Sequence, residues 1–270
     1  MSNINYDEIK SFDTYINNEN ELSDFILNEI LESFNVDMFN AEVNLLNSNN
    51  DDIVLESVSS SIVASIRRFY VGLIQEIKRF VTDIEIGTER ASRDLSYKMK
   101  LSSMEKLAKD AKHMGKTHVI MANVQGMLDV YKKYYKELSS HCKKISKMRY
   151  KDTLALDKDL DIYHRIVEKY EREFDKVSKE EVRITVDDAI RFIEHEKSAN
   201  SKVLDTLNNL ITDVKLIQKD VEDIITREEK LGSDVIPKHV SIIGRITTDM
   251  FKSIRKFCGK IIGKIVFRLA

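Results

Sequence analysis

The sequence predicts an all-α fold: an elongated bundle of long antiparallel amphipathic helices with coiled-coil-like packing. Three observations carry that prediction. Apolar residues recur at spacings of three and four over most of the chain, the period that lines one face of a helix. Proline occurs once, at Pro237, glycine only eight times and tryptophan never, so the turn chemistry that hairpins and tight βα loops require is scarce. Charged residues make up 33% of the 270 residues beside 42% hydrophobic ones, and a charge fraction above the roughly 25% of an average globular domain suits helices with one wet face.

Taken in chain order, residues 1–52 read as an acidic N-terminal arm with two short helices. The first would carry Leu22, Phe25, Ile26, Ile30, Leu31 and Phe34; the second Met38, Val43, Leu45 and Leu46. The run Asn47 to Asp52 is the clearest linker, because Asn, Ser and Asp side chains compete with the helical backbone for hydrogen bonds. Residues 53–232 form the long helical bundle. It starts with a helix whose apolar stripe, Leu55, Val58, Ile62, Ile66, Phe69, Leu73, Ile77, Phe80 and Ile84, repeats every eleven residues, with Gly87 as a break. Leu95 to Met114 is a second helix, with Ser102 and Glu105 spaced like a capping box and Gly115 suited to its end. Thr117 to Val124 is rich in β-branched residues but runs into a heptad through Tyr131, Leu138, Cys142 and Ile145, so helix is expected there too. Asp152 is placed to cap a helix through Leu156, Leu160, Tyr163, Val167, Tyr170 and Phe174. A short break with extended character is expected at Lys179 to Ile184. Thr185 and Asp188 then open a long helix whose apolar face continues through Val203, Leu207, Leu210, Val214, Ile217, Val221 and Ile224. Gly232 and Pro237 stop it.

Residues 233–270 read as a basic amphipathic C-terminal helix. Ile242, Ile246, Met250, Ile254, Phe257, Ile261, Ile265 and Leu269 make one stripe, while Arg245, Lys252, Arg255, Lys256, Lys260, Lys264 and Arg268 sit largely off it. Two readings follow. The apolar face enters a bilayer interface or partner groove while the basic face meets lipid headgroups or nucleic-acid phosphate; or the apolar face packs on the bundle and the basic face complements the acidic arm. With no sequence-reading module in sight, any DNA contact would be to the backbone and salt-sensitive.

Other motifs point to surface or core more than to chemistry. Gly115-Lys116-Thr117 ends like a phosphate-binding loop, but the position five residues before Gly115 holds Asp110 where that loop needs glycine. Asp110 with His113, and Asp161 with His164, have the i, i+3 spacing of helical metal ligands, yet both histidines flank their apolar stripes. Glu194-His195-Glu196 has adjacent spacing, unsuited to ligation from one helix. Tyr131, Tyr134 and Tyr135 fall at heptad positions that favour core over a stacking platform. Cys142 and Cys258 lie in separate helical patterns, which argues against a disulfide framework or zinc knuckle. No metal, cofactor or small-molecule substrate is expected, and no enzyme activity. The acidic N-terminus is unlike a signal peptide and no run is apolar enough to span a bilayer, so the chain is expected to be neither secreted nor transmembrane.

Charge is divided sharply along the chain. Residues 1–60 hold thirteen acidic side chains and one basic, Lys10, for a net of −12, so a chain of −2 overall leaves +10 in the remainder. The acidic, Asn-rich start, the Leu-Glu-Ser junction at Leu55-Glu56-Ser57, the heptad-phased body and the basic tail together resemble internal virion or prohead-core structural proteins of large tailed bacteriophages. That resemblance implies a scaffold, internal or connector role through helix–helix contacts, in the virion or host cytoplasm. It also implies processing after glutamate in motifs of the form Leu/Ile-x-Glu. Ile30-Leu31-Glu32 fits that form, whereas Val54-Leu55-Glu56 departs from it at its first residue. Cleavage after Glu56 would leave a basic body suited to a DNA-filled head. The partners expected are other structural proteins or a second copy of the chain, with non-specific DNA backbone or anionic membrane as contacts of the C-terminal helix. The alternative from another class is a membrane-active bundle, pore-forming or membrane-remodelling, using that helix.

Overall fold

The computed structural model describes residues 7–47, 52–93, 95–148, 153–194, 196–226, 235–262 and 267–269. In order these are α1 (Asp7–Asn47), α2 (Asp52–Arg93), α3 (Leu95–His113), β1 (His118–Ala122), α4 (Val124–Ile145), α5 (Thr153–Val177), β2 (Glu181–Thr185), α6 (Val186–Glu194), α7 (Glu196–Thr226), α8 (Val235–Ile262) and β3 (Phe267–Leu269). The chain is an all-α bundle with one small sheet. Its contacts group into two compact units, one of residues 1–77, 138–165 and 210–253, the other of residues 78–137, 166–209 and 254–270.

In the first unit α1 and α2 form an antiparallel helical hairpin. Its register is fixed by Ser23 donating to Glu76 at 3.4 Å, by the stacked rings of Phe34 and Phe69 with centroids 4.3 Å apart, and by Asp37, which accepts from Ser65 at 2.8 Å and from Arg68 at 3.0 Å. The expected pair of short N-terminal helices is therefore one helix of 41 residues. Its low-propensity asparagines are outweighed by the burial of Leu27, Phe34, Met38 and Ala41. α8 joins this hairpin closely enough that a Cβ on Gly244 would lie 2.6 Å from Phe34 Cε1. α4 and α7 supply the other side and run parallel. Ser139 donates to Asp213 and, one heptad further along both segments, Ser146 donates to Asp220 at 3.3 Å. The expected α7 stripe is realised: Val214, Ile217, Val221 and Ile224 are all buried.

The second unit carries the sheet, in the order β2-β1-β3 with both pairings antiparallel. This corrects the helix expected at 117–124. Two helix ends leave that segment no room to be helical. Gly115, at φ 74°, closes α3 in a Schellman turn in which Lys116 N–H reaches Ala111 O at 2.8 Å and Gly115 N–H reaches Lys112 O at 3.1 Å. Asn123 caps α4, its Oδ1 accepting from Gly126 N–H at 2.9 Å. The β-branched residues between them pair with Glu181–Thr185, where extended character was expected, and their burial alternates. Val119 packs with Ala108 and Ala111 of α3 and with Val186 and Ala189 of α6, small residues that let two helices approach one strand.

Further boundaries differ from expectation. α2 runs through Gly87 for 42 residues, and Ser102 and Glu105 lie inside α3, so they cap nothing. From Thr185 onward the expected helix is present as α6 and α7, with residue 195 outside the described residues, and the Thr185 cap is real: Asp188 N–H reaches Thr185 Oγ1 at 3.1 Å. The C-terminal helix is described to Ile262 and does not continue to the end of the chain, since Arg268 belongs to β3, paired with Ile120. Asp152 lies outside the described residues.

Candidate functional site

The basic set singled out on the C-terminal helix does not form one exposed face. α8 is buried along two lines. The first is the expected stripe through Ile246, Met250, Ile254, Phe257 and Ile261; the second runs through Val240, Ile243, Thr247, Phe251, Arg255 and Cys258. Arg255 is 2% exposed, which corrects its placement off the stripe: it stands four residues after Phe251 and three before Cys258, on a face that packing has already claimed.

The other cations of α8 are engaged within their own unit. In the first unit Lys252 donates to Asn28 at 2.6 Å, Lys238 pairs with Glu42 at 2.9 Å, and exposed Arg245 lies 4.0 Å from Asp249. Burial pushes the Asp249 carboxyl above its usual range, against the pull of Lys252, Arg245 and His164. In the second unit Lys256 reaches Glu171 at 3.3 Å and Lys260 reaches Asp175 at 2.6 Å, one helical turn apart on both α5 and α8. The Lys260 ammonium holds the Asp175 carboxyl below the usual carboxylate range. Lys264 lies outside the described residues, and for Arg268 only the strand position is described.

Several polar groups inside each unit are matched to neighbours. In the first, buried Asp213 takes Ser139 and Lys143, His141 bonds Asp159 O at 2.9 Å, and His239 bonds Ile145 O at 3.2 Å through Nε2. Desolvation lowers the His239 imidazole to a pKa of about 4, against that carbonyl bond and the Asp159 charge. A carbonyl can only accept, so the neutral ring carries its proton on Nε2. In the second unit Tyr131 and Tyr134 are core residues; Tyr131 meets Cys258 Sγ at 3.2 Å and Tyr134 packs against Tyr170 and Phe257. Burial pushes both thiols, Cys142 and Cys258, up to about 12.

His113 and His164 are exposed on their helices, and His195 lies outside the described residues. Among the described residues no group of three or more His, Cys, Asp or Glu is placed to hold a metal ion, and no helix is long and apolar enough to cross a membrane. The two glutamates of the processing motifs are both exposed. Glu32 lies well inside α1, and Glu56 lies in the first turns of α2, close to the linker.

The surface that reading the sequence missed is on α1. Leu22, Phe25, Val36, Phe39, Val43 and Leu46 are between 36% and 65% exposed, while Leu27 and Phe34 on the same helix are 1% and 2% exposed. The helix is apolar on two faces, and only one is spent on α2 and α8. The signal was present as a second set of three- and four-residue spacings, but two interleaved stripes blur into a general hydrophobicity in which neither stands out. No protein-family model, curated protein or solved structure matches this chain.

Proposed function

We propose that this chain is a non-enzymatic structural protein, a scaffold, internal or connector component of a tailed-phage particle, acting through helix–helix contacts in the virion or host cytoplasm. The observation that carries the contact role is the outer face of α1, an apolar strip several turns long left exposed on a helix whose other face is fully packed. The particle assignment rests on the charge boundary and the resemblance that goes with it. For processing, Glu56 would require only the first turns of α2 to unwind, whereas Glu32 would require α1 to unwind in its interior. Cleavage after Glu56 would not by itself release α1, because Leu27, Phe34 and Met38 still hold it.

A membrane-active role through α8 would require withdrawing Ile246 and Met250 from one unit and Ile254, Phe257 and Ile261 from the other. At about 1.5–3 kcal/mol per buried side chain that costs on the order of 10 kcal/mol, which an anionic bilayer would have to return. The test is direct. Mass spectrometry of purified particles should find the chain, and a Phe39→Asp variant, which leaves the core untouched, should be incorporated at least tenfold less. Particles that lack the chain would refute the assignment.

A further inference from the structure

The exposed strip on α1 has a register. Its six apolar residues occupy positions 22, 25, 36, 39, 43 and 46, and the two steps that complete the alternation of three and four are 29 and 32, both exposed glutamates. The result is an unbroken heptad seam of eight steps, spanning roughly 36 Å at 1.5 Å per residue. One flank of the seam, Asn28, Asn35 and Glu42, is taken by α8 through Lys252, Ser241 and Lys238. The opposite flank, Ile26, Ser33 and Asn40, carries no charge.

Charge decides what fits. No Lys, Arg or His occurs from residue 11 to residue 66, so nothing on this hairpin strand can neutralise Glu29 and Glu32 from within the seam. A second copy is a poor occupant. Parallel pairing would set Glu29 and Glu32 against themselves, and antiparallel pairing about residue 34 would set them against Phe39 and Val36. Either arrangement buries carboxylates without a cation, at a cost of several kcal/mol for each. Elsewhere among the described residues the exposed large apolar side chains, such as Val71, Met114, Leu154 and Leu216, are scattered singly and offer no matching seam.

We infer that the outer seam of α1 receives an amphipathic helix of a different protein, apolar at its heptad positions except for lysine or arginine at the two steps that face Glu29 and Glu32. The inference rests on the reading that the chain works through helix–helix contacts, and it adds the partner's chemistry. The buried charge pairs fix register and orientation, as single polar steps do in coiled coils, while the six apolar steps supply affinity.

Fluorescence anisotropy with the full chain and two labelled 28-residue peptides tests this. Both peptides carry leucine at the apolar heptad steps; one has lysine and the other glutamate at the two central steps. The lysine peptide should bind at least tenfold tighter, the Glu29→Lys/Glu32→Lys double variant should reverse that preference, and zero-length carbodiimide coupling should join peptide lysines to Glu29 or Glu32. Phe39→Asp should weaken binding at least tenfold with an unchanged thermal melt. Equal binding of the two peptides, still weakened by Phe39→Asp, would overturn the charge-selected partner and leave the helix-contact reading in place. No binding of either peptide would overturn both. A homodimer in sedimentation equilibrium that Phe39→Asp dissociates would assign the seam to a second copy and overturn the inference.

Discussion

Two glycines of the first unit should respond in opposite directions to the same substitution. Gly244→Ala and Gly72→Ala each replace a helical glycine, and the change in propensity alone favours alanine by about 1 kcal/mol. At Gly244 the new Cβ would stand 2.6 Å from Phe34 Cε1, 3.0 Å from Phe34 Cδ1 and 3.4 Å from Phe69 Cε1. Relieving that contact requires a ring displacement of roughly 1 Å to reach ordinary carbon separation. Phe34 has little freedom to move, being buried and stacked on Phe69. Overpacking of this kind costs about 1–3 kcal/mol, so after the propensity gain the net loss should lie between about 0 and 2 kcal/mol. At Gly72 the nearest atom is Ile30 Cδ1 at 3.3 Å, the far end of a flexible side chain, and the propensity gain should survive at about 0.5–1 kcal/mol. Urea unfolding of the three proteins under one buffer measures both, provided the slopes agree and only the midpoints move. A Gly244→Ala protein stabilised as much as Gly72→Ala would refute the close approach of α1 and α8.

Three other outcomes follow from the packed interior. His239 has a folded pKa of about 4 against an unfolded value near 6.5, so the unfolded chain takes the proton first; the contribution is fully present above about pH 6.5, falls by about 3 kcal/mol as the pH drops to about 4, and then levels off, and a His239→Asn protein should lack that part of the slope. Cys142 and Cys258, raised to about 12 and buried, should react with a thiol reagent at pH 8 at least ~1,000-fold more slowly in the native protein than in denaturant; native-state labelling at the free-thiol rate would contradict their placement. Thr185→Ala removes the cap of α6 and should cost about 1 kcal/mol, read as lost hydrogen-exchange protection at the Asp188 amide, with α3 and α4 unaffected.

What the sequence reveals is the inner face of each helix where one face is enough. Val203 to Ile224 on α7, and Ile62 to Ile77 on α2, are buried at every step of the stripe read from spacing. It fails where a helix is used on two sides. On α8 the second line passes through Thr247, Arg255 and Cys258, residue types that no hydrophobic pattern would select, so the helix reads as a surface amphipath when it is enclosed. β1 fails for a different reason. Five residues of strand owe their state to partners 59 to 67 residues downstream, and local periodicity contains no term for that pairing.

α1 unites these failures with the functional argument. Its asparagines and acids read as an acidic arm with two short helices, and its second apolar stripe is lost among the first. Once the inner stripe is assigned to α2 and α8, the outer one has no intramolecular use, and exposed apolar area of that length normally has an occupant. Among the acids of α1, Glu29 and Glu32 lie within the seam, where a charge costs most if unmatched and discriminates most if matched. On α1 the described contacts from α8 engage Asn28, Asn35 and Glu42 and leave the carboxylates of Glu29 and Glu32 exposed, where the proposed partner helix would meet them.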